Sequence, residues 1–305
     1  MMMQHIFYTC KPVIPRRLQV FFRRLIVQYK LKRYAHIWPI DSSAGTPPPN
    51  WSGWPNGKKF AVVLSHDVDT RAGHDQCRSL MALDEKTGFR SSFNFPAERY
   101  DLSEALINNI QQRGFEVCVH GLKHDGKLFS SQKVFNQRAV RINSYLDKWN
   151  VRGFTSPSMH HNLQWMHVLN IEHATTTFDT DPFEPQPDGM RTIFPFWVHH
   201  PASGRRYLEI PYTLAQDYTL YIMMRQKDIA IWKHKLNWIA SRGGMAMLNT
   251  HPDYMNFSNG KLEREKYPVS YYTKFLEYLK TNYAGEYFHA LPGEVYQYWN
   301  QIRPI

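Results

Sequence analysis

Residues 60–69 read FAVVLSHDVD: a short apolar, β-rich run that ends in a histidine and two aspartates. Carboxylates placed directly after a buried apolar strand are costly to desolvate, and they persist there where a cation or hydrogen bonds compensate them. The stretch therefore reads as a core strand that delivers charge to its C-terminal end. Further β-rich runs follow: SSFNF, EVCVH, VRGFTS, HATTTF, YLEIPY, MAMLNT and EYFHAL. Amphipathic segments such as SQKVFNQRAVRINSYLDKW and QKDIAIWKHKLNWIASRG lie between most of them, the second stopped by Gly243 and Gly244. Strict alternation of this kind predicts parallel strands with crossover helices. Seven or eight repeats suit a closed (β/α) barrel better than an open sheet. No GxGxxG or GxxxxGK[ST] loop follows any strand, so nothing marks a nucleotide site.

The composition fits such a domain. Of 305 residues, 43% are hydrophobic and 21% charged, the balance of a globular chain. The three cysteines, Cys10, Cys77 and Cys118, are far apart and suggest neither a disulfide framework nor a thiolate metal site. The net charge of +11 is uneven: residues 1–54 carry eight Lys or Arg against one acid, Asp41. The body lacks a comparable excess, which argues against a nucleic-acid partner. The expected organisation is a basic arm over 1–54, with an amphipathic helix and a Pro-rich connector, and a barrel over 55–305.

Within the arm, Leu18, Phe21, Phe22, Leu25, Ile26 and Tyr29 fall at helical spacing among many cations. Two readings stand: the apolar face docks on the barrel, or residues 14–35 make a peripheral contact with an anionic membrane, each nearby cation contributing about 1 kcal/mol. The apolar residues near the N-terminus are interrupted by Arg23 and Arg24, unlike a secretory signal. No segment approaches the roughly 20 apolar residues of a spanning helix. A cytoplasmic location, at the inner face of the membrane if the arm binds it, is the expectation.

In a parallel barrel the reactive groups gather where strands end. His66, Asp67, Val68 and Asp69 follow the first run; His120 ends EVCVH, with His124 four residues on; Asp179 follows HATTTF; His251 follows MAMLNT. If the chain turns helical after His120, the two imidazoles face one side and converge on one metal. One aspartate of HDVD completes a two-His, one-carboxylate site, and the other is free to take a proton from water. Each element has a plainer reading: capping or surface histidines, and an aspartate that caps the next helix. His251 suits a proton donor to a leaving group. Arg152 suits an orienting guanidinium or an ion pair on the lower rim. Asp179 suits either a partner of His251 or a turn former before Pro182.

At these residues the sequence resembles the polysaccharide deacetylase family, the NodB-homology carbohydrate esterases, over about residues 58–298. The motifs that carry the resemblance are SHDVD at 65–69, HGLKH at 120–124, RGFTSP at 152–157, FDTD at 178–181 and LNTH at 248–251, in the family's order. A bacterial subgroup with THDVD-like first motifs is similar in particular, through Ile14–Arg17 and Trp38–Asp41. The resemblance implies a distorted, NodB-like (β/α) barrel. It makes Asp67 the base, Asp69, His120 and His124 the metal ligands, Arg152 a brace for the base, His251 the acid, and Asp179 its tuner. Val68 separates aspartates that are commonly adjacent in the family, and the fourth motif lacks the usual Trp.

The implied activity is metal-dependent removal of an N-acetyl or O-acetyl group from a sugar or oligosaccharide precursor in surface polysaccharide (exopolysaccharide) biosynthesis. Zinc is the expected metal from ligand type, and cobalt, manganese or nickel also suit the site. The rival readings are a hydrolase of another small amide, imide or formamide on the same barrel, and a non-catalytic glycan-binding or membrane scaffold.

Overall fold

The computed structural model describes residues 15–258 and 262–302. Ile14 and Cys10, which the sequence reading used, lie outside them. The sheet holds nine strands: β1 (Phe60–Asp67), β2 (Ser92–Phe95), β3 (Glu116–His120), β4 (Gly153–Thr155), β5 (His173–Thr175), β6 (Phe196–His199), β7 (Arg206–Glu209), β8 (Met245–Thr250) and β11 (Tyr287–His289). A separate two-residue pair, β9 (Met255–Asn256) with β10 (Tyr267–Pro268), follows β8. All eight runs singled out in the sequence are strands, and all eight are parallel.

The order runs β11-β1-β2-β3-β4-β5-β7-β6, with β8 along the remaining side of β1. The sheet curls into a half-barrel. Its gap is bridged just after β7, where the Thr213 and Leu214 N–H groups donate to the Met247 carbonyl at 3.2 and 3.0 Å. The Thr213 hydroxyl adds a bond to the Met245 carbonyl at 2.7 Å. Every residue of β1 is buried, so this central strand reads as apolar up to the point where its polar end reaches the site.

Helices α2 (Arg71–Thr87), α3 (Glu104–Gln112), α4 (Gln132–Lys148), α5 (Ala230–Arg242), α6 (Ser270–Asn282) and α7 (Pro292–Ile302) cover the outside. Local chemistry sets their ends. Ser103 and Ser131 cap α3 and α4 by accepting the N–H of Leu106 and Val134. Gly88 and Gly243 stop α2 and α5 in the left-handed conformation that a side chain would strain.

Two features were not visible in the sequence. β6 pairs antiparallel with β7 as a hairpin edge, with Arg206 stacked 3.8 Å over the Trp197 ring. The run HATTTF forms a continuous ladder only over its first three residues and rejoins the sheet at Phe178, which bridges Tyr212. In between, the buried Glu209 carboxylate takes over, accepting the N–H and hydroxyl of both Thr176 and Thr177 at 2.7–3.0 Å. Burial pushes the Glu209 carboxyl up to about 7 against those four bonds.

The arm folds as α1 (Arg16–Arg33), close to the expected span, but it lies the other way out from the docking reading. Leu18, Phe21, Phe22, Leu25, Ile26 and Tyr29 are 47–63% exposed, while Val20 and Val27 face the barrel. The cations hold the helix down. Arg24 donates twice to the Ile222 carbonyl (3.0 and 2.7 Å), Lys30 to the Pro182 carbonyl (2.6 Å) and Arg23 to the Tyr218 hydroxyl (3.1 Å). Ile222 sits near the end of a six-residue π-helical turn, Tyr218–Met223, where carbonyls lack helical partners and recruit donors. The Pro-rich connector holds two short 3₁₀ turns, Ser42–Gly45 and Pro55–Gly57, joined by chain without regular structure. It nonetheless packs tightly, with Ala44 and Trp54 buried and the Trp54 indole donating to the Gly243 carbonyl at 2.8 Å.

The role of Glu209 is testable. Glu209→Ala leaves four buried donors unpaired and is expected to cost about 3 kcal/mol or more in chemical denaturation. A loss below about 1 kcal/mol would show that the donors find other partners.

Candidate active site

Five of the predicted residues meet at the C-terminal ends of β1, β3 and β8. Asp69 Oδ1 lies 2.9 Å from His124 Nε2 and 3.4 Å from His120 Nε2. One ligand atom from each of the three falls within 4.8 Å of the others. Asp69 Oδ1 and His120 Nε2 are buried with no hydrogen-bond partner among the described residues. Orphaned polar atoms of this kind are costly, and a cation between them would satisfy both. The donor set, two imidazole nitrogens and one carboxylate, suits a divalent transition metal and leaves positions open.

The surroundings orient these atoms. His120 Nδ1 lies 2.7 Å from the Thr155 hydroxyl at the end of β4, which turns Nε2 toward Asp69. Burial works against the Asp69 charge, but the imidazoles of His124 and His120 hold its carboxyl well below the ordinary range. The two histidines do not converge through a helical turn, as their spacing suggested. Residues 121–124 form a loop with positive φ at Gly121 (61°) and His124 (49°). A Cβ on Gly121 would stand 2.8 Å from the Pro157 ring, so only glycine lets the loop pass under the RGFTSP segment.

Asp67 lies beside the cluster, its Oδ1 3.6 Å from His120 Nδ1. Its Oδ1 accepts the Asn94 amide at 2.7 Å and its Oδ2 the Asn249 amide at 2.8 Å. Its Oδ2 stands 3.9 Å from His251 Nε2. His251 is clamped from behind by Asp217, which lies 2.7 Å from Nδ1 and accepts the backbone N–H at 2.8 Å. The Tyr267 hydroxyl also donates to Asp217, at 3.0 Å. Burial alone would lower the His251 imidazolium, but Asp217, with Asp69 and Asp67 beyond it, raises it to about 10. A raised imidazole and a carboxylate thus face each other beside the Asp69, His120 and His124 cluster.

Two predicted residues are elsewhere. Arg152 precedes β4, at the end of the sheet opposite Asp67, and pairs with the exposed Asp147 at 3.0 Å. The Asn94 and Asn249 amides do the bracing expected of it. Asp179 is buried against Lys235 at 2.5 Å, and the same ammonium donates to the Pro39 carbonyl at 2.5 Å. It cannot tune His251, whose Nδ1 is already taken by Asp217.

Asp217, Asn94, Asn249 and Asp253 are the residues the sequence reading missed as parts of the site. Asp253 accepts the N–H groups of Asp69 and Thr70, both at 2.9 Å, and so fixes the turn that presents Asp69. A Cβ on Gly73 would collide with the same carboxylate at 2.1 Å. The available signal was an amide at the end of two apolar strand runs, SSFNF and MAMLNT. Asp217 had no comparable signal, because it follows the YLEIPY run by several residues.

Glu116, Cys118 and His173 also come within 4.8 Å of one another, near the opposite end of the sheet. There His173 Nε2 already meets Glu116 Oε1 at 2.8 Å, and Gly293 donates its N–H to Glu116 at 2.8 Å.

Above the site opens a cavity of about 920 Å³, lined by Asp67, Asp69, His120, His124, His251 and Tyr254, and by Arg23, Ile26, Val27 and Lys30 of α1.

No protein-family model and no curated protein matches this chain. Solved structures do. A chain from Mycobacterium smegmatis assigned to the polysaccharide deacetylases is 17% identical with a TM-score of 0.63, over 83% of this chain and 94% of that one. One from Pseudomonas aeruginosa PAO1, assigned likewise, is 15% identical with a TM-score of 0.62, over 88% and 100%. The Puue allantoinase is 14% identical with a TM-score of 0.58, over 88% and 99%. These likenesses are of fold: the curled, mostly parallel half-barrel is that of the NodB-like deacetylase barrel.

If the cluster holds a metal, purified wild-type protein carries about one equivalent by elemental analysis, and His124→Ala loses most of it while its circular dichroism is unchanged. Equal metal content in the two proteins would remove His124 from the ligand set.

Proposed function

We propose that this chain is a divalent-metal-dependent hydrolase that removes an acetyl group from a sugar, with Asp69, His120 and His124 holding the metal. The observation that carries the reading is the facing pair of Asp67 and His251 beside a ligand cluster whose Asp69 Oδ1 and His120 Nε2 are orphaned. When bound, a divalent cation supplies Lewis acidity at the acyl oxygen and lowers the pKa of a water, and zinc is the expected ion.

The chain's own groups then divide the proton work. Asp67, its carboxylate fixed by two amides, takes the proton from the attacking water as the water oxygen bonds to the acyl carbon. The C–N bond breaks, or the C–O bond in an ester. His251 gives its proton to the departing nitrogen or oxygen, and Asp217 stabilises the imidazolium until then. Acetate and a free amine or alcohol leave.

The size of the cavity supports a sugar over a small cyclic amide, imide or formamide: about 920 Å³ lies at the upper end of ordinary ligand pockets. A non-catalytic glycan-binding or membrane scaffold leaves the orphaned ligand atoms and the Asp67–His251 pair without purpose. The resemblance in sequence motifs supports a role in making surface polysaccharide. We further propose that the protein works in the cytoplasm at the inner face of the membrane, on a precursor, with α1 as a peripheral contact. No helix among the described residues is long and apolar enough to cross a membrane.

Acetate release from N-acetylated sugars, set against ring opening of cyclic amides, tests the reaction class directly. Asp67→Asn is expected to keep the metal and lower kcat by about 10²–10⁴-fold. Loss of metal instead would exchange the roles of Asp67 and Asp69. His251 acts as its imidazolium, so turnover falls as pH rises through its pKa. Asp217→Asn removes the charge that raises that pKa, and the alkaline fall should begin about a unit or more lower. An unmoved alkaline limb would show that His251 is not the donor.

A further inference from the structure

One wall of the active-site cavity takes no part in the chemistry above, and α1 builds it. Ile26 both lines the cavity and stands 54% exposed, so the apolar stripe Leu18, Phe21, Phe22, Leu25, Ile26 and Tyr29 is continuous with the cavity rim. Six of the nine large hydrophobic side chains exposed among the described residues belong to this one helix. Scattered singly they would need no account; as one stripe they mark a surface that is covered in use.

The charges around the stripe indicate what covers it. α1 contains no acid, and Arg17, Lys32 and Arg33 are exposed. An apolar stripe bordered by cations matches the headgroup and acyl boundary of an anionic bilayer. Inside the cavity, the side-chain nitrogens of Arg23, Lys30 and Lys266 donate to the Tyr218 hydroxyl and to the Pro182 and Asp253 carbonyls, and Glu184, Glu263 and Glu265 line the same cavity. Burial pushes the Glu184 carboxyl beside Arg23 and Lys30 up to about 8, toward its neutral form, which leaves those two cations to a phosphate that enters.

Resting on the deacetylase reading, we propose that the substrate is an acetylated sugar joined through a phosphate linkage to a lipid carrier, and that α1 docks on an anionic bilayer so that the carrier stays in the membrane. The sugar then reaches the metal ligands, the phosphates meet Arg23 and Lys30, and the lipid leaves along Ile26 and Phe22. A nucleotide-linked sugar would use the cations but not the apolar stripe.

The test uses the full chain loaded with zinc. It is sedimented with vesicles of phosphatidylcholine, alone or mixed with phosphatidylglycerol. It is then assayed for acetate release from one N-acetylhexosamine on three carriers: a methyl glycoside, a nucleoside diphosphate, and a polyprenyl diphosphate in the mixed vesicles. The expected results are sedimentation with the anionic vesicles and the highest kcat/KM on the lipid-linked sugar. The double variant Phe22→Ser, Leu25→Ser, exposed positions that leave the fold intact by circular dichroism, should lower the ratio of lipid-linked to nucleotide-linked kcat/KM by about tenfold or more, as loss of two apolar side chains from a bilayer requires. Equal or better turnover of the nucleotide-linked sugar overturns the proposal, as does failure to sediment or an unchanged ratio in the variant. No acetate from any carrier, with sedimentation intact, overturns the deacetylase reading and the substrate class with it, while leaving the docking surface in place.

Discussion

The cost of burying the carboxylates of Asp67 and Asp69 organises this molecule. β1 carries both to the mouth of the sheet from a fully buried strand, where an uncompensated charge is costly. Most of what stands nearby reduces that cost. Asn94 and Asn249, at the ends of the two neighbouring strands, each donate to one oxygen of Asp67. His120 and His124 stand against Asp69, and Asp253 shapes the backbone that presents it. The curl of the sheet matters here: β8 and β2 flank β1, so amides from both sides reach the same carboxylate.

The same constraint gives the two acids different surroundings. Both oxygens of Asp67 are occupied by neutral donors, which fix the group without neutralising it. Asp69 instead keeps one buried oxygen without a hydrogen bond, facing two imidazoles. The first arrangement suits a group that must take up a proton, and the second suits one that must meet a cation. His251 is treated oppositely: its imidazolium is sustained by Asp217 at 2.7 Å, deep in the wall of the cavity.

α1 takes the outward of the two orientations that its sequence allows. Burying an amphipathic apolar face is ordinarily favourable. Here the cations reach back to carbonyl and hydroxyl oxygens on the barrel, including one carbonyl near the end of the short π-helical turn. The apolar face is thereby turned outward, next to the entrance of the cavity. The helix forms part of that entrance.

The sequence by itself determined the parallel (β/α) plan and the cluster of Asp67, Asp69, His120, His124 and His251. Both depend on local order: apolar runs of strand length, and reactive residues at their C-terminal ends, which a parallel sheet gathers at one edge. It also located α1, since helical spacing is a local property. Only the tertiary structure decided which groups support the site. Arg152, adjacent in sequence to β4, is at the wrong end of it, while Asp217 arrives from a loop after β7. Asp179 is consumed by Lys235, a residue 56 positions away. The loop that brings His124 to His120 depends on glycine passing a proline ring, and the outward face of α1 depends on carbonyls more than 150 residues on. These choices are set by contacts between distant segments, and no pattern of neighbours along the chain encodes them.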